Sequence, residues 1–247
     1  MPRYPSRYAS SFSFGPGPVS TAIKALIIAN VAVFFAQSLI RVLTPLLGLQ
    51  PDLVVRGWIW QPVTYMFLHD GILHILFNML FLWMFGTELE RMWGTRYFLK
   101  FYFVTGIGAG LLTIAFSLLP FDFARQIYAS NVIGASGAIY GLLLAYGLYF
   151  PERPIYMYMV FPIPAKYFVM IMGAIAFYSS LSGAGGGVAN ATHLGGLIIA
   201  YFFIKGARVH PLAEIKYRYL KWKINRVRKK FDVYSGGRSN DWDRRVH

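Results

Sequence analysis

The chain has 247 residues, 56% of them hydrophobic and only 14% charged, against roughly 45–50% and about 25% in ordinary soluble domains. It contains no cysteine, which excludes disulfides, thiolate metal sites and a cysteine nucleophile. The net charge of +14 comes from 24 Lys and Arg against 10 Asp and Glu, and 13 of the 24 follow Ile204; beside an expected membrane span, that charge implies a lipid surface rather than nucleic acid.

Residues 1–20 are rich in Ser, Pro, Tyr and Gly, lack hydrophobic periodicity, and read as a flexible tail. A first span is expected at about 22–43. A cleaved signal peptide is the competing reading, but the run exceeds the usual apolar core of about 7–15 residues and has no persuasive small-residue cleavage site. A second span is expected at about 62–85, a third at about 97–119 and a shorter fourth at about 132–150, ended by Pro151 and Pro154, which cannot continue a helix. The fifth covers about 166–181, with an earlier start at Tyr156 and a break near Pro162 and Pro164 left open. The sixth covers about 191–204 and follows the string SGAGGGVAN. Apolar runs near 18 residues suit a hydrocarbon core about 30 Å thick. The expected architecture is all-α: a polytopic bundle of six transmembrane helices over 21–206, between the tail and a basic segment at 207–247.

In that last segment Leu212, Ile215, Tyr219 and Trp222 share one helical spacing, and Leu220, Ile224, Val227 and Phe231 continue the apolar stripe. Basic residues fill much of the rest, as in a helix lying on an anionic leaflet. Six spans place both termini on one side. With the N-terminus inside, the inner segments hold 21 of the 24 Lys and Arg, and the outer ones only Arg41, Arg56 and Arg125. The positive-inside rule therefore puts both termini in the cytoplasm.

Polar groups inside a span cost free energy and need a partner or a task. Four stand out: His74 and Asn78 in the second span, Ser136 in the fourth and His193 in the sixth. With this topology all four lie in the outer half of the membrane or near its midplane. His74, Ser136 and His193 come about twelve, four and two residues after the expected starts of their spans, a depth spread of roughly 15 Å at most. Ser136 sits in GASGAIYG, where Gly134 and Gly137 permit close backbone approach and Gly137 with Gly141 forms a small-residue face. His193 in NATHLGG has a matching pair in Gly196 and Ala200. Two such helices bring a serine hydroxyl within reach of an imidazole base. His74 and Asn78, four apart, share a face and can donate to one point, as an oxyanion hole requires, with the Ser136 N–H as a third donor. Tyr140, one turn after Ser136, is placed to pack on the His193 ring.

These residues resemble the rhomboid family of intramembrane serine proteases. That family carries GxSG on the fourth span, His followed by paired glycines on the sixth, and HxxxN on the second. The counterparts here are Gly134-Ala135-Ser136-Gly137, His193-Leu194-Gly195-Gly196 and His74 through Asn78. FLH, HILFN and ELERMWGTRYF, with Glu90, Gly94 and Phe98, add to a resemblance that covers about 22–206. It implies that Ser136 is the nucleophile, His193 the general base and then acid, His74 and Asn78 the oxyanion donors, and Tyr140 the aromatic that positions the histidine, supported by Gly134 and Gly137. The expected substrates are transmembrane proteins, with no cofactor or metal. The chain departs from many members in having Thr192 where Ala precedes the histidine. The outer loop at about 44–60 lacks a clear Trp-Arg pair, and Trp58 and Trp60 read as interfacial anchors.

A water-accessible pocket within lipid then supports a dyad reaction, since no acidic third member stands in the spans near it. Helical amides are shielded, so a substrate span must unwind locally. The glycine-rich 182–187 reads as a mobile cap. A non-catalytic relative that binds membrane clients and, less favoured, a transporter are the rival readings. A metalloprotease is set aside because HExxH is absent. Size and resemblance together place the chain in a bacterial inner membrane.

Overall fold

A computed structural model of the protein describes residues 16–157, 161–182, 187–208, 219–224 and 226. The chain divides into two units, 1–204 and 205–247. The first opens with α1 (Thr21–Leu39), two short helices α2 (Leu43–Leu47) and α3 (Pro51–Val55), and α4 (Gln61–Thr64), which tightens into a 3₁₀ turn at Tyr65–Phe67. It continues with α5 (Ile72–Phe81), a π-helical segment Leu82–Gly86, α6 (Thr87–Trp93), α7 (Thr95–Ser117) and α8 (Asp122–Tyr128). Then come α9 (Ser136–Tyr149), strands β1 (Pro154–Met157) and β2 (Phe161–Pro164), α10 (Ala165–Ser182) and α11 (Gly187–Arg208), which ends beyond Ile204.

Among the described residues, four helical stretches are long and apolar enough to cross a membrane: Thr21–Leu39, Ile72–Trp93, Thr95–Ser117 and Val188–Gly206. Two shorter apolar helices, Ser136–Tyr149 and Ala165–Ser180, accompany them. The expected second span does not run unbroken from residue 62. Gly71, at φ 88°, takes a backbone conformation that L side chains rarely adopt, and the chain is non-helical at 68–71 before restarting at Ile72. The helix then runs on to Trp93, where Gly94 at φ 77° ends it and opens α7.

The early start considered for the fifth span is also corrected. Residues 154–157 and 161–164 pair antiparallel, Ile155 opposite Ile163 and Tyr156 opposite Pro162. Prolines lack the N–H a helix interior needs but are tolerated in the edges of so short a hairpin. The loop at 44–60 carries most of α2 and all of α3, with Trp58 and Trp60 stacked at 5.3 Å and Trp60 Nε1 donating to the Leu46 carbonyl.

The core is strongly aromatic: Phe85, Phe98, Phe101, Tyr65 and Tyr102 are all buried. Buried Glu90 joins three elements. It accepts from the Ser20 hydroxyl, from the Ala22 and Ile23 N–H groups at the start of α1, and from Thr95 Oγ1 at 2.7 Å. A carboxylate suits these orphan helix-start donors.

Within the second unit, the described residues are 205–208, which end α11, and helical residues 219–224 and 226. Tyr219, Leu220, Trp222 and Ile224 are exposed there, and the Arg226 guanidinium lies over the Trp222 ring at 5.1 Å. The rest of the expected amphipathic segment, the tail at 1–15 and most of the glycine-rich cap (183–186) lie outside the described residues.

Candidate active site

The position of Ser136 is set by the chain that precedes it. Val132 pairs with Leu49 through two backbone hydrogen bonds of 2.9 and 2.8 Å, and the Gly134 N–H donates to the Tyr65 carbonyl at 2.9 Å. This extended stretch turns into α9 at Ser136, its first residue. The fourth helix therefore starts four residues later than expected, and Ser136 stands at its positive end, where the first backbone N–H groups have no intrahelical acceptor.

The Ser136 hydroxyl and His193 Nε2 are 2.7 Å apart. The other ring nitrogen, Nδ1, lies 3.3 Å from Asn190 Oδ1. An amide oxygen can only accept, so Nδ1 carries the proton and Nε2 is the acceptor for the serine hydroxyl. That is the tautomer a general base requires. Tyr140 lies flat on the same ring, with centroids 4.2 Å apart.

His74 reaches the site because α5 begins so late. It is the third residue of that helix, not the twelfth of a longer one, and this removes most of the expected depth difference from Ser136. Its Nδ1 accepts the Asp70 N–H at 3.1 Å, which leaves Nε2 as the donor. A Cβ added to Gly134, at φ 127°, would stand 2.9 Å from His74 Nε2 and 3.6 Å from Ser136 Oγ. The His74 ring is thus packed against the Gly134 backbone, close enough that any side chain there would meet it, with the serine hydroxyl beside both. Asn78 is buried one turn further along α5, and its Nδ2 donates to the His74 carbonyl at 2.8 Å, within its own helix. The structure therefore joins Ser136, His193, Tyr140 and His74, while the recorded bond of Asn78 is to its own helix.

The small residues act as expected but against more partners. A Cβ on Gly196 would overlap the Gly137 carbonyl oxygen, and one on Gly195 would come within 3.1 Å of the Ala109 carbonyl oxygen. Gly141 faces Thr105 of α7. So α7, α9 and α11 meet backbone to backbone beneath the serine–histidine pair.

Four neighbours of these residues, Asn190, His69, Gln37 and Thr113, were given no place at the site from sequence. Asn190 reads as part of a glycine-rich string, although its place three residues before a histidine, one helical turn, is a usable signal. His69 is fully buried, edge-on to the His74 ring at 5.0 Å. Gln37 holds its backbone, accepting from the His69 N–H at 3.0 Å and donating to its carbonyl at 2.5 Å. Thr113 pairs with Thr192, and no local pattern announces a contact across 79 positions. Among the described residues, no group of His, Asp and Glu could hold a metal ion.

The family profile described as Rhomboid domain matches residues 56–208. The chain is 35% identical over 151 residues to Rhomboid protease GluP of Bacillus subtilis, covering 61% of this chain and 26% of that protein. It is 31% identical over 185 residues to Rhomboid protein 1, mitochondrial, of Saccharomyces cerevisiae, covering 73% and 51%. It is 28% identical over 214 residues to Rhomboid protease AarA of Providencia stuartii, covering 79% and 75%. The chain spans about a quarter and about half the length of the first two of these relatives.

Proposed function

This chain belongs to the rhomboid family, and from that premise we propose that it is an intramembrane serine endopeptidase that cuts transmembrane segments of other proteins. It is an integral membrane protein by family and by its apolar helices. The observation that carries the proposed reaction is the 2.7 Å contact between Ser136 Oγ and His193 Nε2, with Tyr140 stacked on the imidazole.

In the proposed reaction the Ser136 oxygen attacks a substrate carbonyl as His193 Nε2 takes the hydroxyl proton. Asn190 accepts from Nδ1–H and steadies the imidazolium. The carbonyl oxygen, now an anion, turns toward His74 Nε2–H and the Ser136 backbone N–H, which are suited to donate to it. Asn78 supports this hole through His74, whose carbonyl it holds, or with its second amide hydrogen. His193 then protonates the leaving amine, and water, deprotonated by the same imidazole, releases the acyl group. No cofactor enters.

We read six spans: α1, α5 continuing through α6, α7, α9, α10 and α11. At 14 residues α9 is about 21 Å long, less than the hydrocarbon thickness of about 30 Å. If its C-terminal end reaches the inner boundary, Ser136 lies below the outer surface, where a locally unwound substrate span can reach it. The distribution of Lys and Arg supports cytoplasmic termini, and the basic 207–247 segment is proposed to rest on anionic lipid. A bacterial inner membrane is the proposed location, and 182–187 is the proposed cap.

The test is to incubate the purified chain, in detergent and in liposomes, with a fluorescently tagged single-span substrate, beside Ser136→Ala and His193→Ala. Cleavage that disappears in both variants supports the reading. If the wild type cleaves no substrate and a fluorophosphonate fails to label Ser136, a non-catalytic client-binding role replaces it.

A further inference from the structure

A serine and a base on different helices must be held in register to within a few tenths of an ångström. The glycine contacts of α11 bring it close to α7 and α9, but a backbone resting on a smooth glycine surface leaves rotation about the helix axis weakly determined. In lipid the surrounding chains are as apolar as leucine and add no directional force. A rotation of α11 by about 20° would move a side-chain tip at its roughly 5–6 Å outer radius by about 2 Å. That displacement would break the 2.7 Å contact between Ser136 and His193.

Thr192, the residue before His193, supplies a directional tie. Its hydroxyl is 2.9 Å from that of Thr113 on α7, and both residues are about 2% exposed. Thr113 Oγ1 also donates to the Ala109 carbonyl at 2.9 Å. Its single proton is thereby used, so Thr192 is the donor in the interhelical bond. The chain from Thr192 to Thr113 to Ala109 is satisfied at each oxygen and ends on the α7 residue against which Gly195 packs. On its other side, the Thr192 methyl stands 3.4 Å from where a Cβ on Gly137 would be, next to Ser136. One side chain thus touches the helix of the nucleophile and bonds to α7 while adjoining the base.

We propose that Thr192 is a positioning residue: its hydrogen bond to Thr113 fixes the rotation of α11 and so the contact between Ser136 Oγ and His193 Nε2. This rests on the protease reading only for its kinetic consequence, not for its geometry. Thr192→Val removes the hydroxyl and keeps the shape, Thr192→Ser keeps the hydroxyl, and Thr113→Val removes the acceptor.

The experiment compares these variants and the Val/Val double variant in two readouts: cleavage kinetics, and the ring ¹⁵N resonances of His193 in the folded, detergent-solubilised chain, identified by their loss in His193→Ala. A neutral hydrogen bond of about 0.5–1.5 kcal/mol corresponds to a kcat loss of roughly threefold to tenfold in each Val variant, with KM unchanged. The double variant should lose no more than the worse single one, and Thr192→Ser should stay within about twofold of wild type. The Nε2 resonance should move toward that of an unpaired imidazole in both Val variants and stay in place in Thr192→Ser. Wild-type kcat in Thr192→Val, or losses that multiply in the double variant, would overturn the proposal. If the wild type itself cleaves nothing, the protease reading fails and the ¹⁵N shift alone decides: an unmoved Nε2 resonance in the Val variants refutes the positioning role.

Discussion

The Tyr140 ring lies on the face of the His193 imidazole, with centroids 4.2 Å apart and ring planes within 8° of parallel. Because Tyr140 is one turn beyond Ser136, α9 supplies both the serine and the plate against which the His193 ring rests. The stacking uses the face of the ring, not the hydroxyl. Tyr140→Phe should keep kcat within about threefold of wild type, whereas Tyr140→Ala should lose roughly tenfold or more, the scale of an aromatic pair worth about 0.5–1.5 kcal/mol plus a freed imidazole. Equal activity in the Phe and Ala variants would show that the stack does not restrain the histidine.

Asn190 makes a prediction about tautomers. Its Oδ1, 3.3 Å from His193 Nδ1, can receive a proton but not give one. Asn190→Ala should lower kcat by about tenfold with little change in KM, the order of a lost orienting hydrogen bond of about 1.5 kcal/mol. Asn190→Asp, which preserves the acceptor, should recover most of it. Failure of the aspartate variant to outperform alanine would remove Asn190 from the reaction.

At Gly134 two independent penalties coincide. The φ of 127° strains any L side chain, and a Cβ would stand 2.9 Å from His74 Nε2 and displace the proposed oxyanion donor. Gly134→Ala should abolish cleavage. His74→Ala, which empties one donor position without strain, should instead lower kcat by about 10²–10³. Full activity in Gly134→Ala would show that the reaction does not need the His74 ring held against Gly134.

Glu90 predicts a stability effect. Its carboxylate collects donors from Ser20, Ala22, Ile23 and Thr95, and the residue is only 4% exposed. Glu90→Ala would strand the first N–H groups of α1 and should cost on the order of 2–4 kcal/mol. A clear fall in the midpoint of thermal unfolding in detergent is the expected measurement. An unchanged midpoint would mean that the start of α1 is held by other contacts.

How much of this was legible depended on the range of the interaction. Apolar runs announced α1, α7 and the helical character of the rest, and Pro151 marked the end of α9 within two residues. The glycines flanking Ser136 and following His193 pointed to close helix contacts because only a missing Cβ permits them. The start of α5 was missed although His69-Asp70-Gly71 interrupts the apolar run with a turn signal; the break depends on the Gly71 conformation and on the grip of Gln37 on His69. Asn190 was hidden for a different reason, since a polar residue in a glycine-rich string has no direction until the helix carrying it is placed.

By itself the sequence determined the composition that requires lipid, the local stiffness that makes helices, and the residue types able to perform acyl transfer. Those properties are local, set by side-chain chemistry and by backbone preferences over a few residues. Only the tertiary structure decided which groups meet: Ser136 with His193 across 57 positions, and Thr113 with Thr192 across 79. Such meetings depend on the rotation and depth of whole helices, which arise from many packing contacts at once and leave no periodic mark in the chain.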